Sequence, residues 1–255
     1  IRKVNGRHPF VKPRVVIAVP SGITAVEKRA VYNSAERAGA RRVYLVDEPM
    51  AAGIGAGLPI GEATASMIVD IGGGTTEVAI MSLADIGVVQ SIRVAGDEMD
   101  AAIIAYMRRR YDLMIGLQTA ENIKIEIGSI APMEEERSKI VRGRDVVGGL
   151  PRQCEVSSKE VREAMEEPFG QIVECVMRTL ENAEPELAAD LVENGIHLAG
   201  GGALLSGLDQ KLAEATGLEV RLVEDPLSCV ARGTSVYLEN LAAWKETLES
   251  DAYEY

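Results

Sequence analysis

Two triple-glycine turns, each at the end of an apolar run, constrain this chain more than any other feature of its sequence. The first is Ile68-Val69-Asp70-Ile71-Gly72-Gly73-Gly74-Thr75-Thr76-Glu77, and the second is His197-Leu198-Ala199-Gly200-Gly201-Gly202-Ala203-Leu204-Leu205. Apolar runs of this length read as buried strands. Glycine after a strand lets the backbone approach a bulky anion and point several N–H groups at it. Asp70 sharpens the reading. A carboxylate beside a phosphate is repelled unless a cation lies between them, and magnesium bridges such pairs through the waters it retains. Strand-Asp-x-Gly-Gly-Gly-Thr-Thr therefore reads as a metal-assisted phosphate loop. Taken alone, either turn reads equally well as a tight hairpin. Neither matches GxxxxGK[ST] or GxGxxG, and the first runs back into a strand, Glu77 to Met81, instead of opening a helix.

The rest of the chain alternates strands and helices. Val15–Val19 is an apolar strand that ends at Pro20-Ser21-Gly22, and Thr24 with Glu27 has the spacing of a capping box for a helix to about Ala38. A strand at Arg42–Val46 completes a βαβ unit, which favours a parallel or mixed sheet. Helices are expected over Pro49–Gly57, Asp97–Tyr111, Thr119–Ile127 (with Thr119 as a cap-like residue), Ser158 to about Leu180, from about Ser206, and from Val230 to beyond Leu241. Pro168 predicts a kink or break in the long helix. Further strands are expected at Ser66–Ile71, Val88–Val94, Ile196–Ala199 and Glu219–Val223. Residues 129–152 read as exposed loops or short strands, and the acidic tail Glu249–Tyr255 as a mobile end.

Composition narrows the classes. With 47% hydrophobic residues among 255, the chain can bury a substantial core, in one large domain or two smaller ones. A net charge of -12 argues against a nucleic-acid partner. Arg108-Arg109-Arg110 reads as a solvated helix end. Cys154, Cys175 and Cys229 lie far apart, as expected of reduced thiols in a cytoplasmic protein. The two histidines, His8 and His197, have no zinc-site spacing, and His197 reads as a packed core residue. No stretch is long and apolar enough to span a bilayer, and no secretory signal opens the chain. The chain begins at Ile1, not Met, with a strand-like run within twenty residues, so upstream residues are expected.

The two loops, in this order, together with Asp47-Glu48-Pro49-Met50-Ala51-Ala52-Gly53-Ile54-Gly55, resemble the actin, sugar kinase and DnaK-type chaperone superfamily. Within it the chain resembles the MreB family of bacterial actin-like proteins over nearly its whole length. Ala95-Gly96-Asp97-Glu98-Met99-Asp100, Ile123-Lys124-Ile125-Glu126-Ile127-Gly128 and Gly200-Gly201-Gly202-Ala203-Leu204-Leu205-Ser206-Gly207-Leu208 carry that closer match.

The resemblance implies an α/β, actin-like ATPase fold, with two ribonuclease H-like halves around a nucleotide cleft. The first half would comprise residues 1–62 and 231–255. The second would comprise 63–230, with a small inserted subdomain at about 99–164. The family's Asp-x-Gly-Thr hairpin has no counterpart before Val15, so the first half is expected to be incomplete. ATP and magnesium are the implied cofactors. Glu48 would position the attacking water with help from Thr75, and Asp70 would hold magnesium through water. Gly72, Gly73, Gly74, Thr75 and Thr76 would line the phosphates. Ile123, Lys124, Ile125 and Glu126 would border the adenosine, and Gly200, Gly201, Gly202, Ala203 and Leu204 would pack on ribose and phosphate. Without the resemblance, Glu48 reads as a helix N-terminal acid favoured by the dipole, and Lys124 and Glu126 as a solvated face.

By the same resemblance the intact protein would be a slow ATPase, with hydrolysis impaired in this chain alone. It would form filaments with itself, work with the cell-wall elongation machinery, and lie in the cytoplasm at the inner face of the membrane, attached through the missing first domain. The rivals are a DnaK-type chaperone ATPase domain, a sugar or acetate kinase, and a related actin-like filament of plasmid segregation or division.

Overall fold

The structure, a computed structural model, describes residues 12–241 and 249–250. The expectations for the opening residues, including His8, for 242–248 and for 251–255 lie outside them. Strand β1 (Arg14–Val19) pairs in parallel with β2 (Arg42–Asp47) across helix α1 (Ala25–Arg37). The expected capping box is present. Thr24 accepts from the Glu27 amide at 3.2 Å, and Glu27 accepts from the Thr24 amide at 2.8 Å. Helix α2 (Glu48–Gly55) follows β2 directly, with Asp47 as its N-cap.

Next come β3 (Ser66–Ile71), β4 (Thr76–Ser82) and β5 (Asp85–Ile92), an antiparallel meander. Helices α3 (Gly96–Tyr111) and α4 (Leu117–Ile127) flank the short β6 (Leu113–Met114), which pairs with the hairpin β7 (Ser138–Asp145) and β8 (Pro151–Ser157). The chain closes with α5 (Ser158–Glu181), α6 (Pro185–Asn194), β9 (Ile196–Ala199), a single 3-10 turn at Gly201–Leu204, α7 (Leu208–Thr216), β10 (Val220–Leu222) and α8 (Cys229–Glu239). A two-residue strand, β11 (Glu249–Ser250), pairs with Leu45 and Tyr44 of β2, so this part of the acidic tail is held against a sheet.

The layers follow from which face of each strand is apolar. The five-stranded sheet runs β10-β9-β3-β4-β5. Met67, Val69 and Ile71 of β3 and Val78 and Ile80 of β4 face a core shared with α3, α4, α5 and α7. The alternate residues Ile68, Ala79 and Met81 face the opposite core, formed by Met50, Ala51 and Ala52 of α2 and Cys229 and Tyr237 of α8. Val46 of β2 closes that core from the other side. Helices α2 and α8 thus lie between the two sheets, and α1 covers the outer face of β1 and β2 through Ala35, Val43 and Leu45. Alternation with period two on both sides of a strand produces such a sandwich.

Three expectations are corrected. Thr119 is not a cap, because α4 begins at Leu117 with Gly116 before it. Helix α5 passes through Pro168 unbroken, since Val161, Met165, Ile172 and Val176 on both sides of the proline pack into one core. The weakly patterned stretch does hold short strands, paired as a hairpin; Val141 and Val156 are buried and Cys154 packs partly against the same core, too few for a visible alternation. The last helix stops at Glu239.

Candidate functional site

Strand β9 lies parallel to β3 with Asp70 opposite Ala199, so both glycine turns leave the sheet at the same end. In sheets of this type the crevice beyond the carboxyl ends of the strands is where ligands bind. The turns touch each other. Gly200 has φ +81°, and a Cβ there would lie 2.4 Å from an Asp70 carboxylate oxygen and 2.3 Å from the Ile71 carbonyl oxygen. Only glycine satisfies both the left-handed backbone and that approach.

The first turn is closed by the Gly72 amide donating to the Thr75 carbonyl at 2.9 Å. Its own carbonyls are held by the start of α3. The Gly96 amide donates to Gly72 at 3.2 Å and the Asp97 amide to Gly73 at 2.8 Å. The amides of Gly73 and Gly74 find no carbonyl among the described residues, so they remain as donors for an anion.

Three carboxylates converge beside this turn. Asp70 (β3) and Glu77 (β4) are cross-strand partners on the face turned to α2, and Glu48 begins α2. Asp70 is 5% exposed and takes no hydrogen bond or ion pair from a described residue. Burial first, then the charges of Glu48 and Glu77, push its pKa up to about 7. Burial also raises Glu48. Glu77, 1% exposed, is raised by burial too, against the opposing effect of donors from the Ser91 hydroxyl at 2.6 Å and the Ser21 amide at 3.2 Å. A buried, unpartnered carboxylate with two acidic neighbours suits a divalent cation. The three are not arranged to hold a metal ion together, and no other such trio occurs among the described residues, so a magnesium ion here would keep waters and lean on a phosphate-bearing ligand.

Not every residue singled out from the sequence is free for a ligand. The Thr76 hydroxyl is buried and donates to the Val94 carbonyl at 2.7 Å. Ile123 is packed inside the core, because the helix spacing that exposes Ile125 turns Ile123 inward. Glu126 is exposed and pairs with Lys139. Lys124 is half-buried, not on a solvated face, and pairs with Asp100 at 2.9 Å. The end of α4 does join the second turn, through the Ile130 amide donating to the Ser206 carbonyl at 2.7 Å. Gly201 and Leu204 are exposed, while Ala203 is buried. His197 is half-buried, and burial lowers its pKa, as expected of a neutral packed histidine.

Sequence reasoning gave no role to Glu77, Asp97 or Asp100. The signal for Glu77 was its place at the strand end across from Asp70. That for Asp97 and Asp100 was their i, i+3 spacing at the start of α3. A cavity of about 830 Å3 between residues 131–137 and 203–210 shares Ala203 and Leu204 with the second turn but includes none of Glu48, Asp70 or Gly72–Gly74, and so is not the phosphate site.

Comparison with known proteins shows the family and the fold. A family model described as MreB/Mbl protein matches residues 1–246. The chain is 55% identical over 227 residues to the cell shape-determining protein MreB of Escherichia coli strain K12, covering 89% of this chain and 65% of that protein. It is 46% identical over 241 residues to the cell shape-determining protein Mbl of Bacillus subtilis strain 168, covering 94% and 72%. The chain thus spans between 65% and 72% of the length of these curated relatives. Among solved structures, MreB5 of Spiroplasma citri bound to AMPPNP matches with a TM-score of 0.86 and 40% identity, covering 91% of this chain and 70% of that one. A MamK double helical filament matches with a TM-score of 0.78 and 25% identity, covering 93% and 72%.

Proposed function

We propose, on the premise that this chain belongs to the MreB/Mbl family and has its actin-like α/β fold, that the protein is an ATP-dependent, filament-forming cytoskeletal protein directing cell shape and cell-wall elongation in a bacterium. The observation that carries the reading is the contact of the two glycine turns over Asp70, a buried carboxylate without a partner. MreB5 of Spiroplasma citri has been solved with AMPPNP and with ADP, which supports a nucleotide at this place.

In this reading the free amides of Gly73 and Gly74 donate to phosphate oxygens, and Gly200 to Leu204 lie along the ribose side. Bound magnesium would neutralise phosphate charge, with Asp70 holding it through water. Glu48 accepts a hydrogen bond from a water and aims it, helped by the Thr75 hydroxyl. Phosphoryl transfer to water needs this positioning more than covalent chemistry. The cleft would separate residues 1–62 and 231–255 from 63–230, with 99–164 as an insert. The packing of α8 on α2 and β1, away from the five-stranded sheet's outer helices, supports that division. Head-to-tail contacts that do not close into a ring propagate as filaments, and the MamK filament supports self-association. The cell-wall elongation machinery and the inner face of the cytoplasmic membrane are the proposed partners and place of action.

Sedimentation of the full-length protein with and without magnesium-ATP tests the reading. Nucleotide-dependent polymer is expected in the pellet, and Glu48→Ala is expected to change its amount or lifetime. Protein that stays soluble while hydrolysing ATP would favour a DnaK-type chaperone ATPase instead.

A further inference from the structure

A row of polar side chains crosses the five-stranded sheet at the end where the glycine turns leave it. Asp70 of β3 stands opposite Glu77 of β4, and Glu77 opposite Ser91 of β5. Glu77 is buried, and each of its oxygens has a donor. Oε1 accepts from the Ser91 hydroxyl at 2.6 Å, and Oε2 from the Ser21 amide at 3.2 Å. Ser21 belongs to the other sheet, in the loop that follows β1. Its own hydroxyl is buried and makes no hydrogen bond, so Ser21 is held here through its amide. Gly22 presses on the same place: a Cβ there would lie 3.2 Å from that of Ser91. The ion pair of Arg93 with Glu27 at 3.1 Å also joins the two sheets' elements, but its side chains are 80% and 45% exposed, so solvent screens it.

We propose that Glu77 is a positioning residue: it ties the loop after β1 to β4 and thereby sets the distance between Glu48 and Asp70. The tie acts through strand register. β1 and β2 run in parallel with Val19 beside Asp47, so Ser21 and Glu48 leave that sheet side by side. On the other sheet Glu77 stands opposite Asp70. Holding Ser21 to Glu77 therefore holds the sheet end that carries Glu48 against the strand pair that carries Asp70. Met50, Ala51 and Ala52 fix the body of α2 by apolar packing, but Glu48 is its first residue and lies ahead of them. The tie needs an acceptor at position 77, not a charge. A glutamine there accepts from the Ser21 amide with its carbonyl and donates to the Ser91 hydroxyl with its NH2. The tie's geometry stands by itself. Its effect on catalysis rests on the reading of Glu48 as the residue that aims the attacking water, since a misplacement of about 1 Å costs about 100-fold in rate.

The test compares Glu77→Ala, which removes the acceptor, with Glu77→Gln, which keeps it. Gly22→Val acts from the other side: it wedges the loop off Ser91 and leaves Glu77 intact. The full-length protein is used, below the concentration at which polymer sediments. Amide hydrogen exchange at Ser21 is expected to quicken about tenfold or more in Glu77→Ala and Gly22→Val. Hydrolysis at saturating magnesium-ATP is expected to slow about 10–100-fold in the same two, while magnesium-ADP affinity stays as in wild type. Glu77→Gln is expected to match wild type in all three. Unchanged exchange at Ser21 overturns the proposal. So does a Glu77→Gln that hydrolyses as slowly as Glu77→Ala, the pattern of a required charge. Loss of ADP affinity along with hydrolysis, the pattern of a metal ligand or a general structural defect, also overturns it. Should Glu77→Ala not fold, Gly22→Val and Glu77→Gln decide by the same criteria. If wild type hydrolysed no ATP, the reading of Glu48 would fail, and exchange at Ser21 would still decide whether the tie exists.

Discussion

Gly233→Val is expected to cost at least about 3 kcal/mol of stability, enough to leave little folded chain when a domain's whole stability is about 5–15 kcal/mol. Helices α2 and α8 cross between the two sheets with their backbones in contact. A Cβ on Gly233 would lie 1.8 Å from the Ala51 carbonyl oxygen, and one on Gly55 would lie 1.8 Å from that of Cys229. These obstacles are backbone, so no rotamer change relieves them. The helices must part, and with them Met50, Ala52, Ile68, Met81 and Tyr237, which pack in the same core. Urea unfolding followed by circular dichroism checks this, with Gly61→Ala as the control, since no atom lies within 4 Å of a Cβ there. An unchanged midpoint for Gly233→Val would show that the two helices do not meet as described.

Asp70→Asn is expected to act on the empty chain in a pH-dependent way. The folded pKa of Asp70, about 7, lies above its ordinary value of 3.8. The direction of the effect follows from the two values. Below about pH 4 the group is protonated in both states and costs nothing. As pH rises from 4 to 7 the unfolded chain ionises first, so the folded state loses stability, and above 7 the loss is complete at about 4 kcal/mol. The asparagine variant escapes this loss. Its stability relative to wild type is expected to improve by about 2–3 kcal/mol between pH 5 and pH 8, whatever fixed cost the buried amide carries. Glu48 and Glu77 repel the Asp70 charge, so its removal eases them in the same direction. Urea midpoints of both chains at the two pH values measure it. A difference that does not change with pH would mean that Asp70 is not held against ionisation.

Much of this was legible in the sequence because the decisive features are local. The run Ser66–Ile71, its glycines and the Thr24–Glu27 box each specify their own backbone, and the structure places them where the pattern says. The resemblance to an actin-like family supplied the architecture, and residues 1–246 match that family. What escaped the sequence depends on partners distant along the chain. Thr76 is a threonine beside a phosphate turn by sequence, but its hydroxyl is used by Val94. Lys124 is a lysine on an amphipathic helix by sequence, but Asp100 and Gly96 draw it inward. Glu77 is a strand residue whose burial becomes apparent only when β1 ends beside it and the Ser21 amide donates to it. The pairing of β7 with β8, though short strands were allowed there, escaped because two buried valines and a partly buried Cys154 make too short a pattern.

The central claim is that the glycine turns and Asp70 form one magnesium-dependent nucleotide site. Calorimetric titration of the full-length protein with ADP tests it most directly, in magnesium and in excess chelator, for wild type and Asp70→Asn. The account predicts saturable binding to wild type that weakens about 10–100-fold when magnesium is withdrawn or Asp70 is replaced, with no further loss when both are done together. Equal affinity in wild type and Asp70→Asn, or no binding by wild type in magnesium, would contradict it.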